Sequence, residues 1–165
     1  MRGVSELGCA IVYGVAVGAA FPLVDAGIAE RWECSADQIH RVALANLEAR
    51  ASKLPTTTVR GGTLSGRIIR MVDRDVAWAS SLLLVADELK RLFGSEDQVF
   101  GVPGRSVLIS LPLTTPSEIV AHILIDLELG QTWPLMLDPF VLMEGRLYWD
   151  TGDDGEDDDV WQDTK

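Results

Sequence analysis

Short apolar segments separated by glycine and proline recur along this chain and restrict its fold to one built on hairpins. The segments that predict strands are residues 10–17, two stretches within 56–72, 98–102 and 106–111. Pro103 and Gly104, a pair that type II turns favour, separate the last two segments and predict a hairpin. Strands and helices do not alternate regularly, so the pattern indicates an antiparallel or mixed sheet.

Helical segments lie between the strands, and two of them start with capping signals. Ser35 with Gln38, and Thr115 with Glu118, have the spacing of a capping box. Apolar residues at helical spacing follow both boxes, and Gly94 marks the end of another helix. The predicted helices begin near Asp25, Ser35, Asp75 and Thr115. The sequence therefore predicts a single-domain α+β fold in which about three helices pack mainly on one face of the sheet.

The negative charge of the chain is concentrated at its C-terminal end. The 165 residues carry a net charge of −11, and residues 150–165 account for −7 of it, with eight acids against Lys165. Residues 1–149 keep 17 acids and 13 bases, an ordinary balance for a globular domain. An acidic run with little to bury is typical of disorder. We therefore expect one globular domain over 1–149 and a disordered acidic tail over 150–165.

Composition and spacing exclude several classes of function. Bases such as Arg60, Arg67, Arg70 and Arg74 lie singly among apolar and small residues, so the sequence lacks the positive footprint that nucleic acids require. No glycine-rich phosphate loop is present, and we predict no cofactor. The apolar stretch over 7–24 is broken by glycines and Pro22 and is short for a membrane span. Two cysteines outside any CxxC pair fit a reducing compartment, so we expect a cytoplasmic protein with no membrane association.

Three short motifs follow one another in a recognisable order. They are Trp32, Ser35, Ile39, His40, Ala43, Asn46 and Leu47; then residues 79–84; then residues 102–106 with Leu108. In this order the chain resembles the YtpQ-like family of uncharacterised bacterial proteins over most of residues 10–149. The resemblance implies one compact cytoplasmic α/β domain and supplies no catalytic residues. In that family an acidic residue often follows the arginine of the hairpin turn, whereas Ser106 stands there in this sequence.

Residues capable of catalysis lack convergent partners in the sequence. His40 and His122, the only histidines, belong to different predicted helices. Glu118, His122 and Asp126 recur every four residues, which suits a metal site but equally suits ordinary pairing on a helix surface. Cys34 precedes the Ser35 cap, where it fits a hydrophobic staple with Ile39 better than a nucleophile. We predict no catalytic residue and no metal ligand, and the sequence favours a protein without enzymatic activity over an enzyme.

Two functional hypotheses remain open, and the sequence favours the first. The first is a non-enzymatic module, an adaptor, chaperone or inhibitor, that presents an acidic surface and tail to another protein. A basic partner and a homo-oligomer are both compatible with this hypothesis. Its candidate contact residues are Trp133, Asp157, Asp158, Asp159 and Trp161. The second is a small-molecule enzyme or sensor with an anion-binding pocket at Arg105 and Ser106, because a guanidinium in a rigid turn can grip a carboxylate or phosphate.

Overall fold

The computed structural model describes residues 11–15, 22–64, 66–73, 75–132, 134–135, 138–144 and 146–149. The chain divides into two compact units, Met1–Lys53 and Leu54–Lys165. The predicted domain boundary between residues 149 and 150 falls where the described residues end, and the acidic tail lies outside them.

The first unit contains two helices that begin where the sequence predicts them, and the second starts at a predicted cap. Helix α1 spans Ala26–Arg31, and the Asp25 side chain accepts from the amide of Ile28 at 2.8 Å. Helix α2 spans Ala36–Ala51 and starts with the predicted capping box. The amide of Ser35 donates to Gln38 Oε1 at 2.7 Å, and the amide of Gln38 donates to Ser35 Oγ at 3.2 Å. The capping signals therefore fixed both helix starts.

The predicted strand over residues 10–17 is not formed in its described part, residues 11–15. A single bridge joins Gly14 to Leu23, supported by a bond from the Val24 amide to the Tyr13 carbonyl at 2.8 Å. Apolar β-branched residues favour extended backbone, but a strand also needs a paired neighbour along its length. One bridge is a single local pairing and does not form a ladder of hydrogen bonds.

The second unit is built on one sheet of six strands, all antiparallel to their neighbours. The strands are β1 (Arg60–Leu64), β2 (Arg67–Val72), β3 (Gln98–Gly104), β4 (Val107–Pro112), β5 (Phe140–Met143) and β6 (Arg146–Trp149). Their order is β1-β2-β4-β3-β5-β6, so three hairpins lie side by side. This arrangement confirms the predicted α+β class with an antiparallel sheet.

One face of this sheet is covered by helix α4, which spans Ser117–Glu128. An ideal Cβ on Gly101 of β3 would lie 2.1 Å from Leu124 Cδ2, so α4 reaches the backbone of the strand. The buried residues of this layer are Ile69, Val99, Val107, Ile109, Leu111, Val120, Ile123 and Leu124. The glycine permits a contact that any other residue would block.

The opposite face is covered by helix α3 (Ala86–Phe93) and the 3₁₀ helix Ala79–Leu84 before it. Successive strand residues point to opposite faces. Val99 belongs to the α4 layer, and the Phe100 ring meets Phe93 edge-on, with centroids 5.2 Å apart. Helices of this unit thus lie on both faces of the sheet, where the sequence predicted packing mainly on one.

Two helix predictions need correction. The helix predicted from Asp75 is divided, because Val85 leaves the helical conformation (φ −129°, ψ +75°) between the 3₁₀ helix and α3. The capping box predicted at Thr115 is absent, since Pro116 occupies the N-cap and makes no side-chain cap bond. Thr115 Oγ1 is instead buried without a hydrogen-bond partner among the described residues. The predicted stop at Gly94 is confirmed by its φ of +99°, a value that favours glycine.

Candidate functional site

A cavity of about 450 Å³ lies in the second unit, beside the turn between β3 and β4. The C-terminal end of β2, the start of β4 and the end of α4 with the loop after it form its walls. The lining residues are Met71, Asp73, Arg105, Ser106, Val107, Leu127, Gly130, Gln131 and Thr132. The volume is in the range of small-molecule sites. This cavity is the candidate functional site.

Arg105 and Ser106 form the two-residue turn of the β3–β4 hairpin. Gly104 pairs with Val107, so both residues stand between the last paired positions. The turn is also held from behind, because the amide of Ser80 donates to the Arg105 carbonyl at 3.2 Å. Arg105 is exposed and Ser106 is half-buried. The two binding residues predicted by sequence therefore sit together on the cavity, carried by the two most buried strands of the sheet.

The turn lies two residues later than the sequence predicted. Pro103 and Gly104 were expected to form it, but both belong to β3, where a bulge lies between Gly101 and Gly104. Proline is tolerated at bulges because no ladder bond from its nitrogen is required there. The Pro103 carbonyl accepts from the Leu135 amide at 3.4 Å, so the loop after α4 runs along this end of the strand.

Gly104 shapes the cavity by making room for Gln131. An ideal Cβ on Gly104 would lie 2.7 Å from both Cγ and Oε1 of Gln131. The terminal amide of Gln131 is also held by α4, because its Nε2 donates to the Leu127 carbonyl at 3.1 Å. A bridge between Gly104 and Pro134 brings the same loop to the strand. The cavity wall formed by the loop after α4 is thus held by backbone contacts and by the amide side chain of Gln131.

Asp73 supplies a carboxylate to the cavity lining. It directly follows Val72, which pairs with Leu108 near the start of β4. Its Oδ1 lies 3.5 Å from Arg60 Nη1, and the side chain is only 19% exposed. The Arg60 guanidinium binds Asp75 more closely, and the Asp75 side chain is 72% exposed. Asp73 therefore combines partial burial with a long ion pair.

Most of the residues that line the cavity could not be selected from the sequence. Asp73, Gln131 and Thr132 carry no motif, and they come together only through strand order and the return of the loop after α4. The structure does not test the protein-binding hypothesis, because it does not describe the contact residues predicted for it. Trp133, Asp157, Asp158, Asp159 and Trp161 lie outside the described residues.

The candidate acid–base and metal residues remain separate from this cavity. His122 Nδ1 lies 2.6 Å from the carbonyl of Glu118, a contact within α4, and neither residue lines the cavity. No group of three or more potential ligands occurs among the described residues. The same part of the chain holds no helix that is long and apolar enough to cross a membrane.

The first unit holds a separate cavity of about 400 Å³. Cys34 and Ile39, the predicted staple pair, both line it, together with Tyr13. The Tyr13 hydroxyl lies 2.7 Å from His40 Nδ1, which gives this histidine a packing partner. The Cys34 thiol donates to the Trp32 carbonyl at 3.2 Å. Cys34 and Ile39 thus lie at the same cavity, a position compatible with the predicted hydrophobic staple.

Comparisons with known proteins add no relative: the chain matches no protein-family model, no curated protein and no solved structure. The resemblance to the YtpQ-like family stays a prediction that rests on its three short motifs. The function must therefore be argued from the geometry of the cavity.

Proposed function

We propose that the second unit is a ligand-binding domain of the sensor type, which holds an anionic group of a small molecule at Arg105 and Ser106. The observation that carries the proposal is the cavity of about 450 Å³ beside these two residues. A guanidinium supplies up to five donors in a planar fork, which suits a carboxylate or a phosphate. The Ser106 hydroxyl adds one more donor on the same turn.

The position of the turn supports this function further. Arg105 extends from two strands that are buried along nearly their whole length, and its carbonyl is tied to Ser80. A rigid scaffold lowers the entropy lost when a ligand orders the side chain. The alternative that Glu118, His122 or Asp126 performs acid–base chemistry at this cavity has no support, because the cavity lining contains none of them.

The protein-binding hypothesis favoured by the sequence stays a prediction, and so does the cytoplasmic location. Its contact residues are not among those described, whereas Arg105 and Ser106 are placed on a cavity of suitable size. We therefore prefer the small-molecule hypothesis.

Titration of the ¹⁵N-labelled full chain with inorganic phosphate, succinate and neutral succinamide tests the proposal. We expect phosphate or succinate, but not succinamide, to shift the amide signals of residues 104–107 and 130–132. Arg105→Gln is expected to weaken this binding about ten- to hundredfold, the range for losing charge-assisted hydrogen bonds.

Arg67→Gln is the matched control, because Arg67 is exposed at the other end of β2 and does not line the cavity. This variant removes the same charge and is expected to bind like the unaltered chain. Equal weakening in both variants would reduce the effect to net charge and overturn the proposal. Failure of both anions to shift the cavity signals would overturn it as well.

A further inference from the structure

Among the residues that the structure describes, the lining of the Arg105 cavity carries one charged residue of each sign. Arg105 supplies a guanidinium and Asp73 a carboxylate, while the other described lining residues are neutral. A ligand with only negative charge would gain from the first group and be repelled by the second. A ligand with both charges would be attracted by both groups at once.

We propose that this ligand is a zwitterion, whose anionic group binds Arg105 and whose ammonium group binds Asp73. The inference rests on the proposed function and narrows its ligand class to amino acids or related amino carboxylates. It adds a role for Asp73, a residue that no sequence motif marks.

The environment of Asp73 supports a cationic ligand group. Its side chain is 19% exposed, and the contact with Arg60 is 3.5 Å long, beyond the 2.7–2.9 Å of a strong charge-assisted bond. Arg60 itself is 58% exposed and also binds Asp75. A partly buried carboxylate is stabilised by each close cation it gains. An ammonium inside the cavity would give Asp73 the close partner that Arg60 does not provide.

The sheet brings the two charges to one place. Asp73 follows Val72, whose partner Leu108 lies in β4, and Arg105 lies in the turn from which β4 starts. Both charged groups are therefore carried by segments that adjoin neighbouring strands.

The cavity lining also includes the apolar side chains of Met71, Val107 and Leu127. These side chains match a ligand with a hydrocarbon body between or beside its charged groups.

Binding of two matched compound sets to the full chain tests the inference by amide chemical shifts. The first set is leucine, 4-methylpentanoate and 3-methylbutylamine; the second is 5-aminopentanoate, pentanoate and pentylamine. Each set compares a zwitterion with its anion and its amine on the same skeleton, and the two sets differ in charge separation. We expect one zwitterion to bind at least about tenfold more tightly than its anion and its amine.

Asp73→Asn is expected to abolish this preference by weakening the zwitterion, while the anion, freed from the repulsion by the carboxylate, binds at least as tightly as before. Asp75→Asn is the matched control, because it also removes a partner of Arg60 but does not line the cavity, and it is expected to keep the preference. The amide spectrum of each variant reports whether the fold is retained.

The outcomes separate the two proposals. If an anion binds the unaltered chain as tightly as its zwitterion, the further inference is wrong and the anion site stands. Loss of the preference in Asp75→Asn as well as in Asp73→Asn would also overturn it, since Arg60 would then be responsible. If no compound and no simple anion binds, the proposed function fails together with the inference.

Discussion

The hairpins β1–β2 and β3–β4 have the same antiparallel pairing but opposite environments. Every residue of β3 is buried, whereas the first four residues of β1 are exposed and Ile68 of β2 is 68% exposed. A Cβ on Gly101 of β3 would collide with Leu124, but a Cβ on Gly61 of β1 would meet nothing within 4 Å. The same residue type therefore has different roles, and sheet position decides which.

The difference explains where the cavity forms. The β3–β4 hairpin is clamped between helices on its two faces, so its turn is fixed and can present Arg105 in one place. The β1–β2 hairpin lies at the edge of the sheet, where fewer contacts hold it. A binding residue needs a fixed position, and the central hairpin supplies it. Three predictions test this contrast.

The largest effect is expected for Leu124→Ala. Leu124 is fully buried against β3, so its truncation should lower the free energy of unfolding by about 2–5 kcal/mol. Ile68→Ala on the outer hairpin should lower it by less than about 1 kcal/mol, because that side chain stays largely in water. Urea unfolding followed by circular dichroism measures both. Equal losses would remove the contrast between the hairpins.

Gly101→Ala should have the next largest effect, a loss of about 1–3 kcal/mol from overpacking. Gly61→Ala is the control and should change stability by no more than about 0.5 kcal/mol. In the Leu124→Ala background the Gly101→Ala substitution should cost less, because the colliding methyl groups are gone. A cost that is unchanged in that background would show that Leu124 is not the obstacle.

Glu96→Gln should have the smallest effect. Glu96 Oε2 lies 3.2 Å from Arg70 Nη1, a contact between β2 and the segment before β3, but the Glu96 side chain is 72% exposed. Exposed pairs of this kind contribute less than about 1 kcal/mol, and salt screens them. The difference in unfolding free energy should disappear near about 1 M salt. A larger loss that persists in salt would mean that the pair holds the outer hairpin in place.

The sequence predicted local features of this fold well. The Ser35 capping box and the stop at Gly94 depend on neighbouring residues only, and both were confirmed. The placement of helices on both sheet faces depends on distant contacts. A signal for it was present nonetheless, because β3 and β4 read as continuous apolar runs, which indicates strands covered on both faces.

The candidate site was only half predictable. Arg105 was found because a hairpin turn exposes a guanidinium on a rigid support, and this needed only local sequence. The turn itself was misplaced by two residues, since Gly104 serves the close approach of Gln131 and not the turn. Asp73 and Gln131 reach the cavity through pairing order and a loop return. No spacing rule links residues 73, 105 and 131 along the chain.

The attachment of Arg105 to the two central strands has a consequence for how the cavity responds to thermal fluctuation. Brief openings of a folded unit start at its margins, here β1 and β6, and leave the middle closed. We expect the binding cavity to persist through such fraying and to vanish only with complete unfolding of its unit. Occupancy would then act on the global equilibrium, so a ligand at this position would slow amide exchange in the central strands β3 and β4 and leave exchange at the margins β1 and β6 unchanged.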